Sequence, residues 1–146
     1  MSKLQIIIEE NQKERERLLA FMAGLSEKDF NFRLPKGWTI TMVLGHLAFW
    51  DIRQATLLRR WIQEGVQPAS LDADAVNEGV SRLSAAIAPQ AVVKLAADAA
   101  QTIDSAIEQL TPAQADELLQ MGLERNLHRA LHRKDHLDKI EKAMKK

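Results

Sequence analysis

The chain of 146 residues contains no cysteine. A disulfide framework and a thiolate metal site are therefore both excluded, and any metal ion must be bound through nitrogen or oxygen. Lysine plus arginine total 20, as do aspartate plus glutamate, so the formal net charge is zero. A general nucleic-acid-binding protein usually carries a basic excess, so we expect no nucleic-acid partner.

Long apolar runs are also missing. No stretch reaches the roughly 18 uninterrupted apolar residues of a membrane span, and the N-terminal segment becomes charged too early for a signal peptide. We therefore expect a cytoplasmic protein without a membrane partner. The length suits a single domain, residues 1–146, with a sizeable core.

Strand signals are absent as well: the chain has no tyrosine, and no alternating β-branched run predicts a strand. Leucine, alanine, glutamate, glutamine and lysine dominate, and these residues favour helices. Apolar residues at steps of three and four predict four long helices with shorter connecting helices. The predicted fold class is therefore all-α, an antiparallel four-helix bundle with short connecting helices.

Capping residues predict where the helices begin and end. In chain order these residues are Gly24, the capping box Ser26-x-x-Asp29, Thr39 or Thr41, Gly65, Asp72, Pro89 and Thr111, and the first helix is predicted to begin at about Ser2. The last helix is predicted to run without interruption from about Glu124 to Met144. The middle of the first helix, residues 9–17, is almost wholly polar. We expect it to be exposed or paired with polar groups at the same level.

The histidines carry the main functional signal. His132 and His136 stand four residues apart in the last helix, so they project from one face. Ile140 continues their row, which indicates that the row faces inward, while Arg133 and most other charged residues lie on other arcs. Two histidines at this spacing suit one metal ion. No glutamate follows His132, so the zinc-protease motif HExxH is excluded.

His46 lies in the second long helix, where its neighbours at three and four residues are Met42, Val43, Phe49 and Trp50. A neutral imidazole in such apolar surroundings needs a partner for each ring nitrogen, and a metal ion is one candidate. The alternative is that each histidine is an ordinary core or surface residue.

His128 stands one turn before His132. We expect it to be solvated or to support the metal ligands. The alternative that His128 takes the place of His132 as a ligand stays open.

Two segments resemble the DinB-like superfamily, which includes the N-terminal domains of mycothiol-dependent maleylpyruvate isomerases. Gly37-Trp38-Thr39 followed by the sequence VLGHLAFW (residues 43–50) is similar to the start of its second helix. The sequence HRKDHLDKI (residues 132–140) is similar to its last helix, and Asn77 stands where relatives often have asparagine. The resemblance covers nearly the whole chain.

This resemblance implies a four-helix bundle in which His46, His132 and His136 bind one divalent metal ion, commonly zinc or nickel. Isomerase-type members have glutamate where this chain has His132, so the chain looks more like the all-histidine members. Small bundles of this family often pair, so a homodimer is a further expectation.

The resemblance also implies an activity. In relatives with known activity, the metal activates a low-molecular-weight thiol or supports hydrolysis or ring opening. Three histidine ligands leave coordination positions open, as in catalytic sites. We therefore expect a metal-dependent transferase or hydrolase acting on a small electrophilic molecule, with such a thiol as a candidate co-substrate.

Two other functions stay open at this point. The first is a non-catalytic protein that binds or sequesters a metal or a small molecule, with a stress role. The second is a structural bundle in which the metal only joins the second and fourth long helices.

Other residues are candidates for supporting roles. Trp38, Phe49 and Trp50 would line a pocket beside the metal, or else belong to the core. Asp51, Asp135 and Asn77 are candidates for orienting the ligands, the alternative for the two aspartates being a solvated surface.

Overall fold

The computed structural model describes residues 1–145, which form eight helices and no strand. In chain order the helices are α1 (Lys3–Ala23), α2 (Glu27–Phe30), α3 (Ile40–Glu64), α4 (Ala73–Ala85), α5 (Pro89–Glu108), α6 (Pro112–Gln120), α7 (Glu124–Leu127) and α8 (Ala130–Met144). The all-α bundle predicted above is confirmed. Within the described residues, no helix combines the length and hydropathy that a membrane crossing requires.

The long helices α1, α3 and α5 contribute to two clusters of buried apolar residues, which α8 completes at one end and α7, just before it, at the other. One cluster includes Leu18, Leu44, Val92 and Leu137. The other includes Ile7, Leu58, Ile107 and Leu127. The order of these residues along each helix shows that α1 and α8 run in one direction and α3 and α5 in the other. The segment containing α4 returns the chain to the end where α3 began, so that α5 can run parallel to α3.

The predicted capping residues are confirmed at the ends of the helices. Thr39 precedes α3 and accepts a hydrogen bond from the backbone N–H of Met42, and Asp72 caps α4 in the same way. Gly65 ends α3 with φ +84°, a backbone conformation that glycine adopts without strain. Ser26 forms the predicted capping box with Asp29.

The prediction of an uninterrupted last helix is wrong at one point. Helix α7 ends at Leu127, and the backbone of His128 has ψ 72°, outside the helical region. The buried side chain of Asn11 fills the break. Its Nδ2 donates to the carbonyl of Leu127 at 2.9 Å, and its Oδ1 accepts from the N–H of Ala130 at 2.8 Å. Because backbone groups freed by the break find these partners, the interruption leaves them satisfied.

The polar middle of α1 pairs with polar groups on α5 and α8, one of the two outcomes predicted for it. Arg15 donates to Asp104 of α5 at 2.8 Å, and Arg17 donates to Asp138 of α8 at 2.8 Å. Glu14 is buried and accepts from Arg17 at 3.2 Å. Glu14 and the Arg15–Asp104 pair place charged groups inside the bundle, where apolar residues usually pack, whereas the contact of Arg17 with Asp138 is exposed.

Helices α3 and α4 approach each other closely at Gly45. A Cβ atom at this position would lie 1.8 Å from the Oγ of Ser84 and 2.5 Å from its Cβ. Ser84 is buried, and its hydroxyl donates to the carbonyl of Val80 at 2.8 Å. The approach therefore requires glycine immediately before His46.

Candidate metal centre

Three histidines converge in the bundle. Helix α3 contributes His46, and α8, which runs in the opposite direction, contributes His132 and His136. One ring nitrogen from each lies within 4.8 Å of the others. The Nε2 atoms of His46 and His132 are 2.9 Å apart, although 86 positions separate these residues in the chain. The structure therefore brings together the three histidines that the sequence singled out.

The spacing of one histidine pair matches that of two ligands on one metal ion. Two nitrogens that each lie 2.0–2.1 Å from one ion are separated by about 2.9–3.4 Å, and the Nε2 atoms of His46 and His132 have this separation. The Nδ1 atom of His46 is buried and has no hydrogen-bond partner within residues 1–145. Two neutral imidazole nitrogens that face each other at this distance, here the two Nε2 atoms, can both donate a lone pair to one cation.

The electrostatics keep the three rings neutral. Burial lowers the pKa of His46 to about 4, with further lowering by His136 and Arg129. Burial lowers the pKa of His132 to about 2, and the other two histidines add to this effect. Burial also lowers the pKa of His136. At neutral pH each ring therefore offers a lone pair, which a metal ligand must have.

His128 stands apart from the cluster. Its Nε2 forms a hydrogen bond with the carboxylate of Glu10 on α1, and its backbone ends α7. It is not among the three converging histidines, and it does not exchange places with His132. His128 therefore serves as an internal comparison for experiments on the cluster.

The aromatic residues divide between two regions. The ring of Trp38 lies 5.2 Å from that of His46, and the ring of Trp50 lies 6.4 Å from it on another side. The Nε1 of Trp50 donates to the Oδ1 of Asn77 at 2.8 Å, which fixes the indole in place. Phe49 packs against Trp50 but lines a separate cavity, which is formed by α3 and residues 69–71.

A cavity of about 500 Å³ opens beside the cluster. We call it the His132 cavity, and its lining includes Trp50, Arg125, His128, Arg129, His132 and Asp135. Of the three aromatic residues predicted to line a pocket, Trp50 lines this one. The cavity gives small molecules a route to the ring of His132.

Asp51 does not orient a histidine, and it does not lie on a solvated surface. It is 3% exposed. One carboxylate oxygen accepts from the Nε of Arg129 at 2.9 Å and the other from Nη2 of Arg133 at 3.1 Å. Asp135 is exposed and accepts from Lys139 at 3.0 Å, as expected for a surface residue.

Arg133 lies on a different arc of the last helix from the histidine row, as predicted, but that arc also faces the core, since this side chain is completely buried. Its guanidinium donates to both carboxylate oxygens of Asp104 at 2.9 Å and to the carbonyl of Asn11 at 3.0 Å. Burial alone would lower the pKa of Arg133, but Asp51 and Asp104 raise it above the ordinary value. Arg133 precedes Leu137 by four residues, and this spacing was the signal that it faces the core.

The buried arginines hold α8 in register with its neighbours. Arg129 and Arg133 join α8 to Asp51 of α3, and Arg133 also joins it to Asp104 of α5. His132 and His136 lie on the same helix, so these ion pairs fix the rotation that points both rings at His46.

A comparison with known protein families gives a match. The model of the DinB superfamily matches residues 10–134. The matched range includes His46 and His132 and ends two residues before His136. No curated protein and no solved structure matches the chain.

Proposed function

Because the chain belongs to the DinB superfamily and three of its histidines converge, we propose that His46, His132 and His136 bind one divalent metal ion, zinc or nickel. The convergence of the three ring nitrogens carries the proposal. The absence of cysteine leaves nitrogen and oxygen as the available donors, and imidazole suits both metals. Three protein ligands leave coordination positions open for a substrate.

We further propose that the protein is a metal-dependent transferase or hydrolase acting on a small electrophilic molecule, with a low-molecular-weight thiol as a candidate co-substrate. The bound ion would supply Lewis acidity. The protein contributes three neutral imidazoles to hold it, two indoles that exclude water around His46, and the His132 cavity, which admits a small molecule. The cavity's position at His132 supports an active site rather than a closed structural one.

A second function is favoured by one observation. Asp51, the one buried carboxylate considered as a support for the cluster, already has both oxygens bonded to buried arginines. A general base needs a free lone pair within reach of the reacting proton. This pairing favours a non-catalytic protein that binds a metal or a small molecule without turnover.

Metal content per chain tests the site. We expect about one ion per chain in wild-type protein and little or none in the His46→Ala, His132→Ala and His136→Ala variants. The His128→Ala variant is the matched control, because it removes a histidine of the same helical region that bonds to Glu10 instead. Equal loss in the control, or a wild-type protein that neither contains nor takes up metal, would contradict the assignment.

Two further measurements separate the functions. Turnover of a panel of thiol-plus-electrophile mixtures and esters by the metal-loaded protein, lost in His132→Ala, supports the enzyme. Metal uptake without turnover supports the binding protein. A large fall in the melting temperature of His132→Ala would instead indicate that the metal serves to join α3 to α8.

A further inference from the structure

The His132 cavity has an unbalanced set of charges. Of its charged lining residues, Asp135 is paired with Lys139 at 3.0 Å and Arg129 with Asp51 at 2.9 Å. Arg125 is exposed and forms no ion pair with any described residue. The cavity therefore presents one uncompensated guanidinium, and a positively charged cleft attracts anions.

Arg129 adds hydrogen-bond donors from the cavity wall. Its side chain is almost completely buried, and its Nε donates to Asp51. Its Nη1 makes a longer contact of 3.4 Å with the carbonyl of Arg125. Its Nη2 makes no hydrogen bond to the part of the chain that the structure describes. Because Asp51 already fixes the guanidinium, binding an anion to Nη2 costs little further side-chain entropy.

An apolar surface faces these donors. Trp50 lines the cavity with its indole fixed by Asn77, and Leu131 lines it from α8. A ligand with an apolar body and one anionic end fits a cavity that is apolar on one side and positively charged on the other. A carboxylate can accept a charge-assisted hydrogen bond from Nη2 of Arg129, and the apolar wall favours an organic body over a small, strongly hydrated inorganic anion.

From these contacts we propose that the His132 cavity binds a small organic carboxylate, with its apolar body against Trp50 and its carboxylate at Arg129 and Arg125. Because His132 lines the same cavity, the ligand lies next to the three histidines. The inference names the substrate class of the proposed metal site and in that sense rests on the proposed function. The carboxylate contacts themselves are made by protein groups, so binding is expected without metal.

Calorimetric titration of metal-stripped protein with benzoate and with neutral benzamide tests the proposal. We expect benzoate to bind at least fivefold more tightly than benzamide. The Arg125→Gln variant should weaken benzoate about threefold to tenfold and leave benzamide unchanged. The Arg129→Lys variant keeps the charge but removes the Nη2 donor, and it should weaken benzoate about tenfold. Arg59→Gln is the matched control, because Arg59 is exposed on α3 and does not line the cavity.

The outcomes separate this inference from the metal site. Equal binding of benzoate and benzamide, equal effects of Arg125→Gln and Arg59→Gln, or inorganic phosphate binding as tightly as benzoate would each overturn the carboxylate proposal. A protein that binds benzoate in the expected manner but takes up no metal would support the carboxylate site and refute the proposed metal function. Metal uptake without benzoate binding would support the metal site and refute the carboxylate site.

Discussion

Replacing Arg133 with methionine tests the buried ion pairs that hold α8. Methionine keeps an unbranched apolar stem in the core but removes all guanidinium contacts to Asp51, Asp104 and the carbonyl of Asn11. Both carboxylates would stay buried, since each is only 2–3% exposed. An uncompensated buried charge is the main cost of breaking such a pair.

The magnitude follows from the partners that remain. Removing one member of a buried ion pair typically destabilises a protein by about 3–5 kcal/mol. Asp51 would keep Arg129 at 2.9 Å, and Asp104 would keep Arg15 at 2.8 Å. Because neither carboxylate is left wholly unpaired, we expect the lower end, a loss of about 3 kcal/mol in the free energy of unfolding.

Urea denaturation measures this loss. For a slope of about 1–3 kcal/mol per molar urea, the midpoint of Arg133→Met should fall by about 1–3 M. Arg59→Met is the control, since an exposed arginine without an ion pair should change stability by less than about 0.5 kcal/mol. The double variant Arg133→Met/Asp104→Asn should lose less free energy of unfolding than the two single variants together, because the second change removes the carboxylate charge that the first leaves without Arg133. A loss below about 1 kcal/mol for Arg133→Met would refute the reasoning.

Two further predictions concern the histidines. The folded-state pKa of His46, about 4, lies below its ordinary value near 6.5. The contribution of this neutral ring to the free energy of unfolding is therefore fully present above pH 6.5 and falls as the pH drops towards 4. Urea denaturation of the metal-free protein should show that this residue accounts for a loss of about 3 kcal/mol in the free energy of unfolding by pH 4, and the loss should be smaller in His46→Ala. Identical pH profiles of the two proteins would contradict the lowered pKa of His46. Free zinc at 100 times its dissociation constant should stabilise the protein by about 2.7 kcal/mol and raise its melting temperature by about 5–10 °C. The rise should be absent in His132→Ala and retained in His128→Ala, and an equal rise in both variants would exclude the histidine cluster as the zinc site.

Local sequence signals predicted most of the helix boundaries. Thr39 and Asp72 cap helices through hydrogen bonds that span three residues, so the information lies in the adjacent sequence. The pairing of His132 with His136 is equally local, because four residues make about one helical turn. Their approach to His46 is a long-range fact, and it was the family resemblance, in which all three histidines bind one metal ion, that implied it.

The break at His128 could not be read locally. Neither glycine nor proline marks it, and the residue that satisfies its free backbone groups, Asn11, belongs to α1. The buried arginines were missed for a related reason. A charged residue is usually assigned to the surface, and the carboxylates that compensate Arg133 lie on α3 and α5. Such assignments depend on partners that only the folded chain brings together.

The contact between Gly45 and Ser84 has a consequence for related sequences. Any side chain at position 45 collides with the Cβ and Oγ of Ser84, whereas the Cα of Ser84 lies at an ordinary 3.7 Å. Glycine at position 84 would therefore make room for alanine at position 45, while alanine at position 84 would not. Relatives that keep this spacing of α3 and α4 should vary at the two positions together, exchanging which helix carries the glycine.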